Sequence, residues 1–92
     1  MNPYGSELTP EFLKLYRKLP SDVRARARVA YRRWHENPNL LGLRFKRVWA
    51  NRPVYSVRID VSNRVAGELE GDTMKWDFIG NHDEYERYLG RF

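Results

Sequence analysis

The sequence predicts an α+β fold: an N-terminal helical hairpin packed on a four-stranded, mainly antiparallel sheet, followed by a short C-terminal helix, in the order ααββββ. Three observations predict it. Two apolar stripes at helical spacing occupy residues 9–35 and are parted only by Pro20-Ser21. Four runs between residues 43 and 79 alternate apolar and polar side chains at the period of a strand. The breaks between those runs are short turn signals, as an antiparallel meander requires.

Residues 1–7 contain Pro and Gly and show no periodicity, so they are expected to form a flexible lead-in. Thr9-Pro10-Glu11 reads as a helix start. Thr9 is the N-cap, Pro10 takes the first helical position where its missing N–H is harmless, and Glu11 sits at the positive end of the helix dipole. Phe12, Leu15, Tyr16 and Leu19 then follow at i, i+3, i+4, i+7. Ser21 is expected to cap a second helix from Asp22 to about His35, with an apolar stripe of Val23, Ala27, Ala30, Tyr31 and Trp34. Arg24, Arg28 and Arg32 form a basic ridge beside that stripe. Asn37-Pro38-Asn39 stops the helix and leads to a hairpin over Leu43–Arg64, broken at residues 50–53.

In that hairpin Leu43, Phe45, Tyr55, Val57 and Ile59 are expected to be buried, with the alternation running on to Val61. Arg44, Lys46, Ser56, Arg58 and, past a turn at Ser62-Asn63, Arg64 are expected on an open cationic face. The third strand is Arg64–Glu70. After Gly71-Asp72 the fourth is Thr73–Ile79, with Met74, Trp76 and Phe78 on one face. Asp83–Leu89 forms one or two closing helical turns.

Length and composition narrow the function. Ninety-two residues make one domain, residues 1–92, with a small core and no deep enclosed pocket. The chain has no cysteine, which removes disulfide and thiolate chemistry. No apolar run is long enough to span a membrane, and the first residues lack the regions of a secretory signal, so a cytoplasmic protein without membrane contact is expected. The net charge is +5 and unevenly spread: residues 14–64 hold fourteen Lys or Arg against three acids, whereas residues 65–92 hold three against seven. Such a field favours a polyanionic partner.

Neither GxGxxG nor a P-loop is present, and there are only two histidines, so no cofactor and no metal are expected. Glu68, Glu70 and Asp72 read as the wet side of a strand. What remains is a cationic, aromatic and imidazole set suited to RNA. RNA is cut without a metal when its own 2′-OH attacks the adjacent phosphate, provided that proton is removed, the pentacovalent phosphate is neutralised and the leaving 5′ oxygen is protonated. Arg58 and Arg64, on adjoining strands, are candidates for the phosphate because a guanidinium binds its oxygens bidentately. His82, just beyond the last strand, is the candidate for proton transfer, since imidazole as a class titrates near neutrality. Tyr85 and Tyr88 are candidates for base stacking or proton transfer. Each has a structural alternative: His82 as the start of the tail helix, Tyr88 as packing under the sheet, Arg58 as a partner of Asp60 or Glu68.

The run LRFKRV, the segment YSVRIDVSNRV and the ending WDFIGNHDEYERYL, preceded by two helices, resemble the RelE/ParE-type toxins of bacterial and archaeal toxin–antitoxin pairs. The resemblance extends from about Leu8 to Leu89, and its most specific parts are Tyr55–Arg64 and Ile79-Gly80-Asn81-His82 with Tyr88. It implies a RelE-like fold and one of two activities. RelE-like members cut mRNA in the ribosomal A site, whereas ParE-like members bind DNA gyrase without nuclease chemistry. Matched to the RelE-like pattern, Arg58 falls on a strand lysine, Arg64 on the arginine after the turn, His82 on an arginine after Ile-Gly, and Tyr88 on the C-terminal tyrosine. Ser56 stands where a further catalytic lysine is expected. The resemblance thus implies an mRNA endoribonuclease leaving a 2′,3′-cyclic phosphate and a 5′-OH. Arg58, Arg64, His82, Tyr88 and Tyr85 would be catalytic, and Arg44, Lys46, Arg47 and the ridge of Arg24, Arg28 and Arg32 would grip ribosomal RNA. The implied partners are a cognate antitoxin, the ribosome and mRNA. The alternatives are DNA gyrase as the target, or an attenuated toxin-like binding module.

Overall fold

The computed structural model describes residues 2–92. A five-stranded sheet organises them, built from β1 (Gly5–Leu8), β2 (Lys46–Arg47), β3 (Val54–Arg58), β4 (Asn63–Glu70) and β5 (Thr73–Asn81) in the order β1-β5-β4-β3-β2. β1 runs parallel to β5, and all other neighbours are antiparallel. Three helices, α1 (Pro10–Arg17), α2 (Ser21–Glu36) and α3 (His82–Leu89), complete the α+β architecture expected from the sequence. No helix is long and apolar enough to cross a membrane, among the described residues.

The first helix begins as its cap residues dictate. The Thr9 hydroxyl accepts from the Phe12 N–H at 3.2 Å and also donates to the Trp76 carbonyl at 2.9 Å, so the cap ties α1 to β5. For α2 the expected cap moves by one residue: Pro20 holds the cap position without a side-chain bond, and Ser21 is already helical. Trp34 of α2 and Trp76 of β5 meet edge to face at 5.2 Å in the centre of the main core, each 1% exposed. Phe12, Ala27, Leu43, Val57, Met74 and Ile79 pack around them.

Three expectations give way. The lead-in of residues 1–7 is not free chain: Gly5–Leu8 pairs with Thr73–Trp76, and of that stretch only residue 1 lies outside the described residues. The first hairpin strand shrinks to Lys46–Arg47, because Leu41–Leu43 form a 3-10 turn that ends on Arg44 at φ 48°. β3 stops at Arg58, which leaves Val61 in the following turn, 78% exposed. An open apolar cleft of about 210 Å³ lies between the helical hairpin and the sheet, lined by Phe12, Tyr31, Trp34, Val57 and Trp76 among others. The buried Trp34 Nε1 has no acceptor among the described residues.

The last strand departs most. Ala66 pairs with Phe78 but Gly67 pairs with Trp76, so Asp77 is the extra residue of a β-bulge. Met74, Trp76 and Ile79 join the main core while Phe78 turns to the opposite face, where it packs with Val54, Ala66, Tyr85 and Tyr88. That face, expected to be open, is therefore covered by α3, and Ser56 on it is buried. Gly67 permits the bulge because a Cβ there would lie 2.7 Å from the Trp76 Cα.

The β3–β4 turn is held by Asp60. Its carboxylate accepts from Arg26 Nε of α2 at 2.8 Å and from the Ser62 and Asn63 backbone N–H groups, each at 2.8 Å. Partial burial opposes the charged form, but these hydrogen bonds, with that from the Asn63 side chain, outweigh it and hold the Asp60 carboxyl below the usual carboxylate range.

Two outcomes follow for stability. Gly67→Ala forces backbone apart and should lower unfolding free energy by about 2 kcal/mol or more in urea titrations, with reduced yield of folded protein. Asp60→Ala should cost about 1–2 kcal/mol at neutral pH. Because the folded pKa lies below the unfolded value of about 3.9, the carboxylate's contribution is complete above that value and is lost as pH falls through the folded one. The difference between the two proteins should therefore narrow only in acid.

Candidate functional site

Register brings two of the expected site residues together. Arg58 and Arg64 are direct cross-strand partners at the end of β3 and β4, and Arg64 in turn lies opposite Gly80 of β5. Like charges placed this way repel. Their donors turn to backbone oxygens: Arg64 Nη1 donates to the Asp60 and Asn63 carbonyls at 2.8 and 3.0 Å, and Arg58 Nε approaches the Asp60 carbonyl at 3.4 Å. Neither guanidinium has a carboxylate within ion-pair distance among the described residues. The Asp60 side chain is spent on Arg26, and Glu68 is taken by both Arg52 donors at 2.8 and 2.6 Å. Two half-buried positive charges thus stand adjacent and unneutralised, oriented by carbonyl dipoles. That arrangement suits an anion bridging both.

His82 enters from the strand that borders Arg64. It is the first residue of α3, directly after the N-cap Asn81, which pairs with Asn63. The entry angle is fixed by a capping box: the Asn81 side chain accepts from the Glu84 N–H and the Glu84 carboxylate accepts from the Asn81 N–H, both at 2.9 Å. Gly80 leaves room for that carboxylate, since a Cβ there would sit 2.8 Å from Glu84 Oε1. The imidazole is 67% exposed, with Nε2 3.6 Å from Glu86 Oε1 one helical turn on. It projects into solvent from the capped first turn of α3.

The two tyrosines take a different place. Tyr88 is 3% exposed, stacks on Phe78 at 4.9 Å and donates its hydroxyl to Asp77 Oδ1 at 2.6 Å. Burial, and then that hydrogen bond, push the phenol pKa far above its ordinary value, while burial raises the Asp77 carboxyl. Tyr85 is also buried beside Phe78. The bulge residue and the two rings together seat α3 on the sheet. The apolar i, i+3 spacing of Tyr85 and Tyr88, continued by Leu89, was the signal in the sequence for that role.

The remaining cations divide. Arg44, Lys46 and Arg32 are exposed, whereas Arg47 donates to the Trp49 and Ala50 carbonyls and braces the β2–β3 loop. Arg24 donates to the Leu19 carbonyl in the α1–α2 connection at 3.1 Å, and Arg28 donates to the Tyr16 hydroxyl at 2.7 Å, so two of the three ridge arginines stitch the helical hairpin. Asp60, named in the sequence as a possible partner of Arg58, supports the pair through its backbone carbonyl, whereas Asn63 and Arg26 were not foreseen in that role. Among the described residues no three His, Asp or Glu side chains gather as metal ligands.

Known proteins share this fold. None of the curated proteins matches the sequence. Among solved structures, a chain of the RelB–RelE antitoxin–toxin complex of Methanococcus jannaschii aligns at 20% identity over 89% of this chain and 96% of that one, with a TM-score of 0.66. The isolated RelE toxin of E. coli aligns at 18% identity over 96% and 97%, TM-score 0.64, and YafQ of E. coli at 9% identity over 89% and 97%, TM-score 0.65. At these identities the likeness is one of fold. The model of the ParE-like toxin domain, however, matches residues 21–87, from α2 through the arginine pair to α3, and the chain accordingly belongs to that family.

Proposed function

We propose that this chain is the toxin of a toxin–antitoxin pair and acts as a ribosome-dependent mRNA endoribonuclease. The observation that carries the reading is the adjacent, unneutralised pair Arg58 and Arg64, with the exposed His82 at the end of the strand that borders Arg64. The 2′-OH of the message attacks the neighbouring phosphorus, a 2′,3′-cyclic phosphate forms, and the bond to the 5′ oxygen breaks, leaving a 5′-OH. Arg58 and Arg64 stabilise the charge that builds on the phosphate oxygens. His82 carries one of the two proton transfers, and water carries the other. Tyr85 and Tyr88 act as positioning residues, holding the helix from which His82 projects. Arg44, Lys46, Arg47 and Arg32 supply contacts to ribosomal RNA, with Arg24 and Arg28 contributing field rather than direct grip. The partner that restrains the toxin is a cognate antitoxin, in keeping with the antitoxin–toxin complex in which the M. jannaschii structure was solved.

Two features favour a second reading, gyrase poisoning of the ParE type. Ser56, where the RelE-like pattern has a lysine, is buried and uncharged, and the Tyr88 hydroxyl is committed to Asp77, so His82 is left as the sole free proton carrier among the expected residues.

Expression of the chain without its antitoxin should halt translation, with codon-positioned mRNA cuts bearing 5′-OH ends. A DNA-damage response with intact mRNA would replace the nuclease by the gyrase reading. Arg64→Ala and Arg58→Ala should each lower cleavage by about 10²–10³-fold in a purified translation system, as for loss of one charge-stabilising donor. Tyr88→Phe should lower the melting temperature and leave the pH profile of cleavage in place. A shifted profile would return the phenol to the proton path.

A further inference from the structure

The open cleft between the helical hairpin and the sheet is walled by Phe12 and Tyr16 of α1, Tyr31 and Trp34 of α2, and Trp76 of β5, with the partly exposed Leu8 of β1 also lining it. All but one of these side chains are aromatic rings. The volume of about 210 Å³ exceeds the roughly 150 Å³ of apolar cavity that accepts a benzene ring. Two hydrogen bonds brace the walls: Arg28 Nη1 of α2 donates to the Tyr16 hydroxyl of α1 at 2.7 Å, and the hydroxyls of Tyr31 in α2 and Ser6 in β1 are bonded at 2.6 Å. Ser6 is held in turn by the Trp76 indole N–H at 3.0 Å. Braced walls and a volume on this scale suit a small molecule rather than a helix, which with its side chains is about 10–12 Å across.

The lining also defines the chemistry of that molecule. Its one charged residue is the exposed Arg28, and no acid lines the cleft. Arg28 has no carboxylate within ion-pair distance among the described residues. Its hydrogen-bond partner is a neutral phenol, so the guanidinium keeps its charge and further donors. A hydrocarbon would fill the apolar part and ignore that charge, whereas a sugar phosphate would answer the charge and leave the rings wet. A flat apolar body with one carboxylate answers both, its ring against the aromatic walls and its carboxylate on Arg28.

We propose that this cleft is a binding site for a small aryl carboxylate. Val57 and Val65, which line it, alternate along their strands with Arg58 and Arg64, so the site occupies the sheet face opposite the arginine pair and does not rest on the nuclease reading. The bound molecule joins α1, α2 and the sheet through one set of contacts, and by mass action it raises the melting temperature as its concentration rises.

The test titrates naphthoate into the full, isotope-labelled chain and follows the indole N–H signals by NMR. Of the three tryptophans, Trp34 and Trp76 line the cleft, whereas Trp49 packs on the opposite face, so the first two signals should move and the third should stay. Naphthylmethanol, which has a similar shape and no charge, should bind about fivefold more weakly. Arg28→Leu should abolish that preference. Tyr16→Phe, which gives up the same hydrogen bond and keeps the guanidinium, should retain it. Ala27→Leu adds an isopropyl group to the lining and should weaken both compounds about tenfold or more; if that variant misfolds, the comparison of Arg28→Leu with Tyr16→Phe decides alone. Unmoved Trp34 and Trp76 signals at millimolar naphthoate, equal movement of Trp49, equal affinity for the alcohol, unchanged affinity in a folded Ala27→Leu, or the same loss in Arg28→Leu and Tyr16→Phe would overturn the proposal. So would a concentration-dependent dimer that Leu8→Asp dissolves, since a second copy would then fill the cleft.

Discussion

A sheet in a chain this short has two faces to cover and little material with which to cover them. The single extra residue in β5, Asp77 opposite the Cβ-free Gly67, resolves the problem by letting one strand feed two cores. Before the bulge its large side chains fill the space under α1 and α2; after it Phe78 turns over and offers a platform to α3. The displaced Asp77 then takes the Tyr88 hydroxyl, so the irregularity that redirects the strand also anchors the helix that follows. Without that reversal α3 would have no apolar seat, and His82 no fixed place beside the arginine strands.

The arginine pair shows the complementary economy. Opposed like charges cost up to about 1 kcal/mol across strands, and a neighbouring carboxylate would relieve them. Here the carboxylates are directed elsewhere, Asp60 to Arg26 and Glu68 to Arg52, while carbonyl oxygens orient the guanidiniums without cancelling them. Stability at this corner is given up for an available positive field, a pattern that belongs to sites which receive an anion. The same turn joins the corner to α2, so the helical layer, although it lines the other face, influences where Arg58 and Arg64 stand.

Much of this was legible in the residues. Thr9-Pro10, the 3.6-residue stripes and the alternation in β3 and β4 are local signals, and they place both helices, the strands and the adjacency of Arg58 and Arg64. What was not legible depends on distant partners. Gly5–Leu8 is too short and too polar to announce a strand, and its partner is near the other end of the chain. Alternation through Met74, Trp76 and Phe78 continues unbroken in the sequence, although the bulge divides it in space. Ser56 reads as open although it is buried, on the sheet face against which Tyr85 and Tyr88 pack. Those tyrosines were ambiguous for a physical reason: an aromatic ring serves equally to stack a base or to fill a core, and only burial separates the two.

The pairing of Gly5–Leu8 with Thr73–Trp76 also bears on how the protein is made. Closing so long a loop carries an entropic cost that the sequential hairpins of β2–β5 do not share. A nascent chain presents α1 and α2 early, yet its edge strand waits until β5 has emerged, and Arg64 acquires its neighbour Gly80 at the same moment. The arginine pair itself, held by Asp60, Asn63 and α2, closes within the β3–β4 hairpin, whereas the edge strand and the seat of α3 belong only to the finished chain.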